Sequence, residues 1–183
     1  LVNPEYVIET ERLDFYTTTG YAFLYGPTTI TSDSSIIYCE RGFYNTNNDT
    51  GYFVNKSKIY YDERMIEGDS IFFDRNKSFA SATNNIKVTD TLNNFFVRGH
   101  YAEVFKDKDS VYVTKKALAI TVQENDSLYM HSDTLMITGP ADNRVVRGFY
   151  NAKIYKSDIS GKADSIHMNQ KTGITELINF YDI

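Results

Sequence analysis

Apolar and polar residues alternate along most of this chain, in short runs cut by polar turn residues. Strict alternation puts every second side chain on one face, the signature of a half-buried strand. The clearest stretch runs from Ile66 to Val88. It reads as a strand to Asp74, a turn Arg75-Asn76-Lys77-Ser78, a returning strand Phe79-Ala80-Ser81-Ala82, a second turn, and a further strand to Val88. No stretch long enough for a helix keeps an apolar 3.6-residue period free of turn signals. The pattern predicts an all-β fold.

One short strand recurs, with the form Asp-Ser/Thr-apolar-any-apolar. Copies begin at Asp69, Asp109, Asp126, Asp133 and Asp164, and a degenerate copy covers Ser34 to Tyr38. Within each copy the two apolar residues point to one face. They are Ile71 and Phe73, Val111 and Val113, Leu128 and Met130, Leu135 and Ile137, and Ile166 and Met168. The residue between them (Phe72, Tyr112, Tyr129, Met136 or His167) points the other way. Stacked antiparallel, the first set forms a continuous apolar strip. A strip that closes on itself is a core, whereas a strip on a partly open sheet is a groove for something long and apolar. The leading Asp-Ser pairs are expected in turns, where they bond nearby backbone N–H groups. Their repetition argues against catalysis, because a catalytic residue is needed once.

Breaks in the alternation predict where strands end. Glu11-Arg12 separates Val2–Thr10 from Leu13–Thr17, and Gly26-Pro27 ends Tyr21–Tyr25. Tyr52–Val54 and Lys58–Tyr61 form a pair of strands, and Phe95–Phe105 is one long strand or two meeting at Gly99. Residues 45–51 and 139–143 read as loops, 123–126 as a turn, and Leu177 to Ile183 as a last strand. A second echo is longer: Arg41-Gly42-Phe43-Tyr44-Asn45 is identical to Arg147-Gly148-Phe149-Tyr150-Asn151, and Arg98-Gly99-His100-Tyr101 is a looser copy. Their spacing suggests a repeat of about 50 residues holding two or three hairpins. If the copies stack, Arg41, Arg98 and Arg147 form a cationic ladder suited to phosphates. Otherwise they pair with acidic neighbours.

Composition narrows the class. The 183 residues include 15 Tyr and 12 Phe but only 3 Pro, which favours sheet. Hydrophobic residues at 42% against 23% charged allow a core and exclude a disordered chain. A net charge of -5, with no basic run beyond Lys115-Lys116, excludes a general nucleic-acid binder. Cys39 is alone, which excludes an internal disulfide and a cysteine-based metal site. No apolar run approaches the ~18 residues of a membrane-spanning helix. The chain opens on Leu1 without a signal-like stretch. We therefore expect residues 1–183 to form one elongated domain cut from a longer, exported precursor.

Candidate chemistry adds little. His131 and Asp133 lie two apart on one strand, but no third ligand is near, so a polar pair is expected rather than a metal site. No Gly-x-Ser-x-Gly nucleophile motif occurs. Glycosylation sequons begin at Asn48, Asn55, Asn76 and Asn125, as chance provides in an Asn-rich chain. No catalytic residue, cofactor or metal is expected.

Several of these motifs together resemble the OstA/LptA-like family of lipopolysaccharide transport proteins. They are Gly68-Asp69-Ser70-Ile71-Phe72-Phe73-Asp74, Phe79-Ala80-Ser81-Ala82, Asn85-Ile86-Lys87-Val88, Gly99-His100-Tyr101-Ala102-Glu103-Val104 and Ala163-Asp164-Ser165-Ile166. The aromatic- and Asn-rich style is similar to a Bacteroidetes-type version. One departure is that Asn84-Asn85-Ile86 stands where the family has Gly-Asn-Val. The resemblance implies an elongated, incompletely closed antiparallel β-jellyroll built from repeated hairpins. It further implies a periplasmic location, lipid A acyl chains held on the apolar strip, end-to-end strand pairing with itself or similar domains, and no enzymatic activity. Other readings of the same strip are a structural repeat domain or a carbohydrate-binding β domain at the cell surface, the latter using Tyr112 and Tyr129.

Overall fold

The computed structural model describes residues 1–122 and 126–180. The first part of the expected 123–126 turn, the sequon Asn125 and the end of the expected strand at 181–183 lie outside the described residues. The strands are β1 (Val2–Asn3), β2 (Tyr6–Tyr16), β3 (Tyr21–Ser32), β4 (Ser35–Asn45), β5 (Thr50–Tyr61), β6 (Arg64–Asp74) and β7 (Phe79–Asp90). They continue as β8 (Phe95–Phe105), β9 (Ser110–Thr121), β10 (Leu128–Thr138), β11 (Val145–Lys156), β12 (Ile159–Asn169) and β13 (Thr175–Ile178). Single 3₁₀ turns occupy Lys106–Lys108 and Ala141–Asn143. The strands pair antiparallel in chain order as one 13-stranded sheet that does not close into a barrel.

Each long strand is interrupted once, near its middle, and the interruptions line up across the sheet. β5, β7, β9 and β11 carry two consecutive residues at positive φ: Asn55-Lys56, Asn84-Asn85, Lys115-Lys116 and Tyr150-Asn151. In β3 the same place is taken by Gly26, at φ 85, and Pro27. Facing them, the even-numbered strands insert one residue: Glu11, Glu40, Asp69, His100, Asp133 or Asp164. Such bulges bend a strand without ending it. Asn and Gly tolerate the left-handed conformation best, so they concentrate here. The inserted acids hold the bend: Lys56 Nζ bonds Glu40 at 2.7 Å, Asn85 Nδ2 bonds Asp69 at 2.9 Å, and Asn151 Nδ2 bonds Asp133 at 2.8 Å.

Several sequence expectations are corrected by this arrangement. Glu11-Arg12 and Gly26-Pro27 do not end strands, and Tyr52–Val54 with Lys58–Tyr61 is one strand. Asp69, Asp133 and Asp164 sit at mid-strand bulges rather than hairpin turns, whereas Asp109 does lie in a turn. A turn residue inside a run looks the same in sequence whether the chain reverses or only bends. The structural repeat is a bent hairpin, with its bulge recurring at Gly26, Asn55, Asn84, Lys115 and Tyr150, about every 30 residues. The Arg-Gly echo is not that repeat: Gly42, Gly99 and Gly148 stand at different offsets from the bulge. What they share, with Gly68, is an inward position near the bend. A Cβ on Gly99 would lie 2.5 Å from Val113 Cγ1 and 2.9 Å from the Thr114 carbonyl oxygen.

Beyond the bend, the alternation stays in phase with the inside. In β6 the inward residues change from Ile66 and Gly68 to Ile71 and Phe73, because Asp69 is one extra residue. Two extra residues in β5 leave Phe53, Ser57 and Ile59 all facing in. The creased sheet thus folds its two halves together over one apolar core running its length. Full burial of side chains such as Leu24, Phe53 or Leu135 contributes roughly 1.5–3 kcal/mol each.

Opposite the crease, the two rims of turns meet. Arg144 Nε donates to Asp90 Oδ2 at 2.8 Å, and both side chains are almost fully buried. Arg64 Nη1 lies 2.5 Å from Asp109 Oδ1, and its Nη2 donates to the Gly139 carbonyl at 3.1 Å. These contacts clasp the ends of β6 and β7 to the turns that flank β9 and β11. Burial alone would raise the Asp90 pKa. Hydrogen bonds from Arg144, Asn93 and the Leu92 N–H overcome that and hold the carboxyl below its ordinary value.

Two predictions follow from the crease and the clasp. Gly99→Ala should lower stability by about 1–3 kcal/mol, read as a lower urea midpoint with an unchanged slope. For Asp90, a depressed folded pKa means stability that is full above the ordinary carboxylate range and lost as pH falls below about 4. Asp90→Asn should therefore cost about 3 kcal/mol at pH ~7, where Arg144 loses its buried partner. It should also show a shallower further loss on acidification than the parent, as urea titrations at the two pH values will measure.

Candidate functional site

The apolar strip expected from the repeated strand exists, as rows of cross-strand neighbours. Ile71, Val113, Leu135 and Ile166 belong to one row through Ala82, Ala102 and Gly148. Phe73, Val111, Ile137 and Met168 belong to the next, through Ala80, Val104 and Val146. Met130 and Leu128 face them from the other half of the sheet. All ten point inward. Eight are buried, and Phe73 and Leu128 are half-buried against the same cluster. Their outward neighbours Phe72, Tyr112, Tyr129, Met136 and His167 face away from the core, as alternation requires.

A third row enters the recurring motif only at Met130, which joins it through Val97 and Ala119, and at Ile37 of the degenerate copy. Ile8, Ile30, Ile37, Ile59, Ile66 and Val88 are successive cross-strand partners on β2 to β7. They lie on the half of each strand across the bend from Ile71 and Phe73. Ile30 and Val88 alternate with polar neighbours, whereas Val7, Ile36 and Met65 blur the alternation beside Ile8, Ile37 and Ile66. Ile66 and Val88 bound the stretch where alternation is clearest and Ile37 lies in the degenerate copy, but Ile8, Ile30 and Ile59 fall outside both.

Over this row the core is incomplete. A cleft of about 210 Å³ opens between the rims on the side of the clasp nearer β1. Ile30, Ile37, Ile59 and Ile66 form one wall, and Phe73, Ala80 and Val104 the other. Phe73 is the one residue of the expected groove set that lines it; the other nine are packed deeper or farther along the core. Tyr6, Tyr44 and Tyr61 also border it. The Tyr6 and Tyr44 rings meet edge-on at 5.1 Å, and Tyr44 donates to Asp49 Oδ1 at 3.0 Å. Burial first, then the neighbouring carboxylate of Asp49, raises the pKa of both phenols, so both are hydrogen-bond donors at neutral pH. Tyr6 is 4% exposed, yet its hydroxyl has no hydrogen-bond partner among the described residues.

The mouth of the cleft is polar and carries two cations. Ser32, Ser34 and Ser35 stand on one rim, and Arg75, Ser78 and Lys106 on the other. Arg75 reaches across to Glu5 at 3.4 Å and lies 5.8 Å from the centre of the Tyr6 ring. Lys106 Nζ donates to the Ser34 carbonyl at 3.2 Å. Apart from the clasp and the Tyr6–Tyr44 ring contact, these are the contacts that bridge the rims here among the described residues. Such surface contacts hold weakly.

The cationic ladder does not form. Arg41 lies against Tyr25, Arg98 against Phe96, and Arg147 Nη1 donates to Thr138 Oγ1 at 2.8 Å. They stand on β4, β8 and β11, on the outer face, separated by intervening strands. The phosphate contacts expected of them have no common site, and among the described residues none of the three pairs with an acid. His131 bonds the Ala117 carbonyl through Nδ1, and Asp133 accepts from Asn151. No group of three or more metal-ligating side chains occurs among the described residues. Cys39 is buried, which pushes its thiol up to about 12. Among the described residues no helix is long and apolar enough to cross a membrane.

No protein-family model matches the sequence, and no curated protein matches it. Among solved structures it is similar to LptH from Pseudomonas aeruginosa, the LptA homologous periplasmic component of a conserved lipopolysaccharide transport device. The TM-score is 0.57 at 15% sequence identity, and the match covers 65% of this chain and 86% of LptH. That likeness is one of fold: an incompletely closed, all-antiparallel β-jellyroll of the LptA-like kind.

Proposed function

We propose that this chain is a periplasmic lipid-carrying domain that shields acyl chains of lipopolysaccharide between the two membranes. The observation that carries the reading is the apolar cleft between rims held by weak surface contacts. The LptH-like fold supports it. A packed β-jellyroll has no need of an opening lined by four isoleucines and a phenylalanine, whereas an acyl chain needs such a face and no chemistry. On this reading the chain enters beside Phe73. It continues along Ile71, Val111, Val113, Leu128, Met130, Leu135, Ile137, Ile166 and Met168 only where the two halves of the sheet part. Partners are lipid A and similar β-jellyrolls or second copies, added end to end at β1 and β13, the short edge strands that bound the sheet.

A photo-crosslinking amino acid at Phe73 should trap lipid A from a Gram-negative host, identified by mass spectrometry of the adduct. Substitution at Met130 reports whether the chain runs deep. Adducts at neither position, with no lipid A co-purifying, would overturn the proposal. In a second test, Ala80→Phe should fill the cleft and lower uptake of an acyl-chain fluorophore by about tenfold, with the fold kept by circular dichroism. The carbohydrate-binding reading, expected at Tyr112 and Tyr129, has its longer aromatic run elsewhere on the outer face, where Phe23, Phe43 and Tyr52 follow one another at 6.1 and 6.3 Å. Binding there would be indifferent to Ala80→Phe.

A further inference from the structure

The cleft holds more information than an apolar chain can use. Tyr6 presents a buried hydroxyl that nothing among the described residues satisfies, and such an orphan costs about 1–3 kcal/mol unless something binds it. Beside it stands Arg75, and on the neighbouring turn Lys106, whose backbone N–H bonds the Ser78 carbonyl at 2.9 Å. Each cation is occupied by a stand-in from the opposite rim. Arg75 has the carboxylate of Glu5, and Lys106 has a backbone carbonyl. A donor group of this kind, a planar guanidinium with an ammonium and a phenol, recognises an anionic oxygen head. The volume sets a second limit. At about 210 Å³ the cleft lies below the roughly 300–1,000 Å³ of pockets for drug-sized ligands, so it takes one chain segment and not a sheaf of chains.

We infer that Tyr6, Arg75 and Lys106 form a head-group site at the mouth of the cleft, which selects a single acyl chain bearing an anionic head. The inference rests on the lipid-carrying reading and adds that recognition is of one chain at a time, by its charge. Glu5 acts as a built-in competitor: it occupies Arg75 when the cleft is empty and is displaced when the anion arrives. Ligand entry therefore breaks the two contacts that bridge the rims over the cleft.

The test compares dodecanoate with uncharged dodecanol, both below their micelle concentrations, by displacement of an acyl-chain fluorophore. Dodecanoate should bind at least about tenfold tighter. Replacing both cations, Arg75→Gln with Lys106→Gln, should bring it to the level of dodecanol and leave dodecanol unchanged. Tyr6→Phe should weaken dodecanoate severalfold. Glu5→Gln, an exposed change that cannot be confused with misfolding, should strengthen dodecanoate severalfold and leave dodecanol alone. Acetate at matching concentration should displace nothing, because the head site acts only with the chain. Equal affinity for the two probes, or no effect of Glu5→Gln, overturns the head-group site and leaves the cleft as a plain acyl pocket. If neither probe binds while lipid A still crosslinks at Phe73 or Met130, the single-chain inference falls and the lipid-carrying reading stands. If lipid A fails as well, both fall.

Discussion

The requirement on which this structure depends is that a bent strand must keep its apolar side chains on one side of the sheet. Side chains alternate with a period of two, so an inserted residue flips everything beyond it. The fold meets that requirement with matched insertions, two residues on the odd-numbered strands and one on the even-numbered. The strand that gains one residue carries a sequence already shifted by one: Ile66 and Gly68 before Asp69, Ile71 and Phe73 after it. A crease then runs across the sheet, and its halves face one another over a continuous core. Glycines at the inner side of the crease follow from the same geometry, since the converging backbones leave no room for a Cβ at Gly99.

Folding the sheet leaves two rims that must be joined, and the joint is made differently along its length. Where Arg144, Asp90, Arg64 and Asp109 meet, the first three are buried and hydrogen-bonded, and Asp109 closes the cluster from its half-exposed turn. Buried ion pairs add little net stability, yet breaking one is costly. Their effect is to set which turn faces which. Nearer β1 the polar contacts that join the rims among the described residues are those of Arg75 and Lys106, beside the edge-on meeting of Tyr6 and Tyr44, and the core beneath is not full. Stiffness on one side of the clasp and a weak joint on the other give the roll a place where it can open.

Much of this was legible from alternation alone. The all-β class, the absence of a long helix, the inward direction of Ile71, Phe73, Val111, Val113 and their relatives, and the outward direction of Tyr112 and Tyr129 all follow from a period of two. The misreadings have one source. At Gly26, Asn55-Lys56 and Asn84-Asn85 the backbone is left-handed, and a hairpin and a bulge ask for the same residues. Only the neighbouring strand, with one residue where two face it, distinguishes them. The Arg-Gly echo misled similarly: its glycines answer to the crease, while its arginines lie on separate outer strands against Tyr25, Phe96 and Thr138.

By itself, the sequence determined which side chains share a face, because that depends on local backbone geometry alone. It also determined that no cluster of cysteines or basic residues dominates the chemistry. Tertiary structure decided which apolar residues stay packed and which border an opening. Phe73 and Val113 occupy the same kind of position in the repeated strand, yet one lines the cleft and the other is sealed in the core. The difference arises from what the crease brings opposite each of them. Tyr6, Arg75 and Lys106 come from turns and strand ends far apart in the chain, so their meeting at one mouth depends on how the rims register when the sheet folds over.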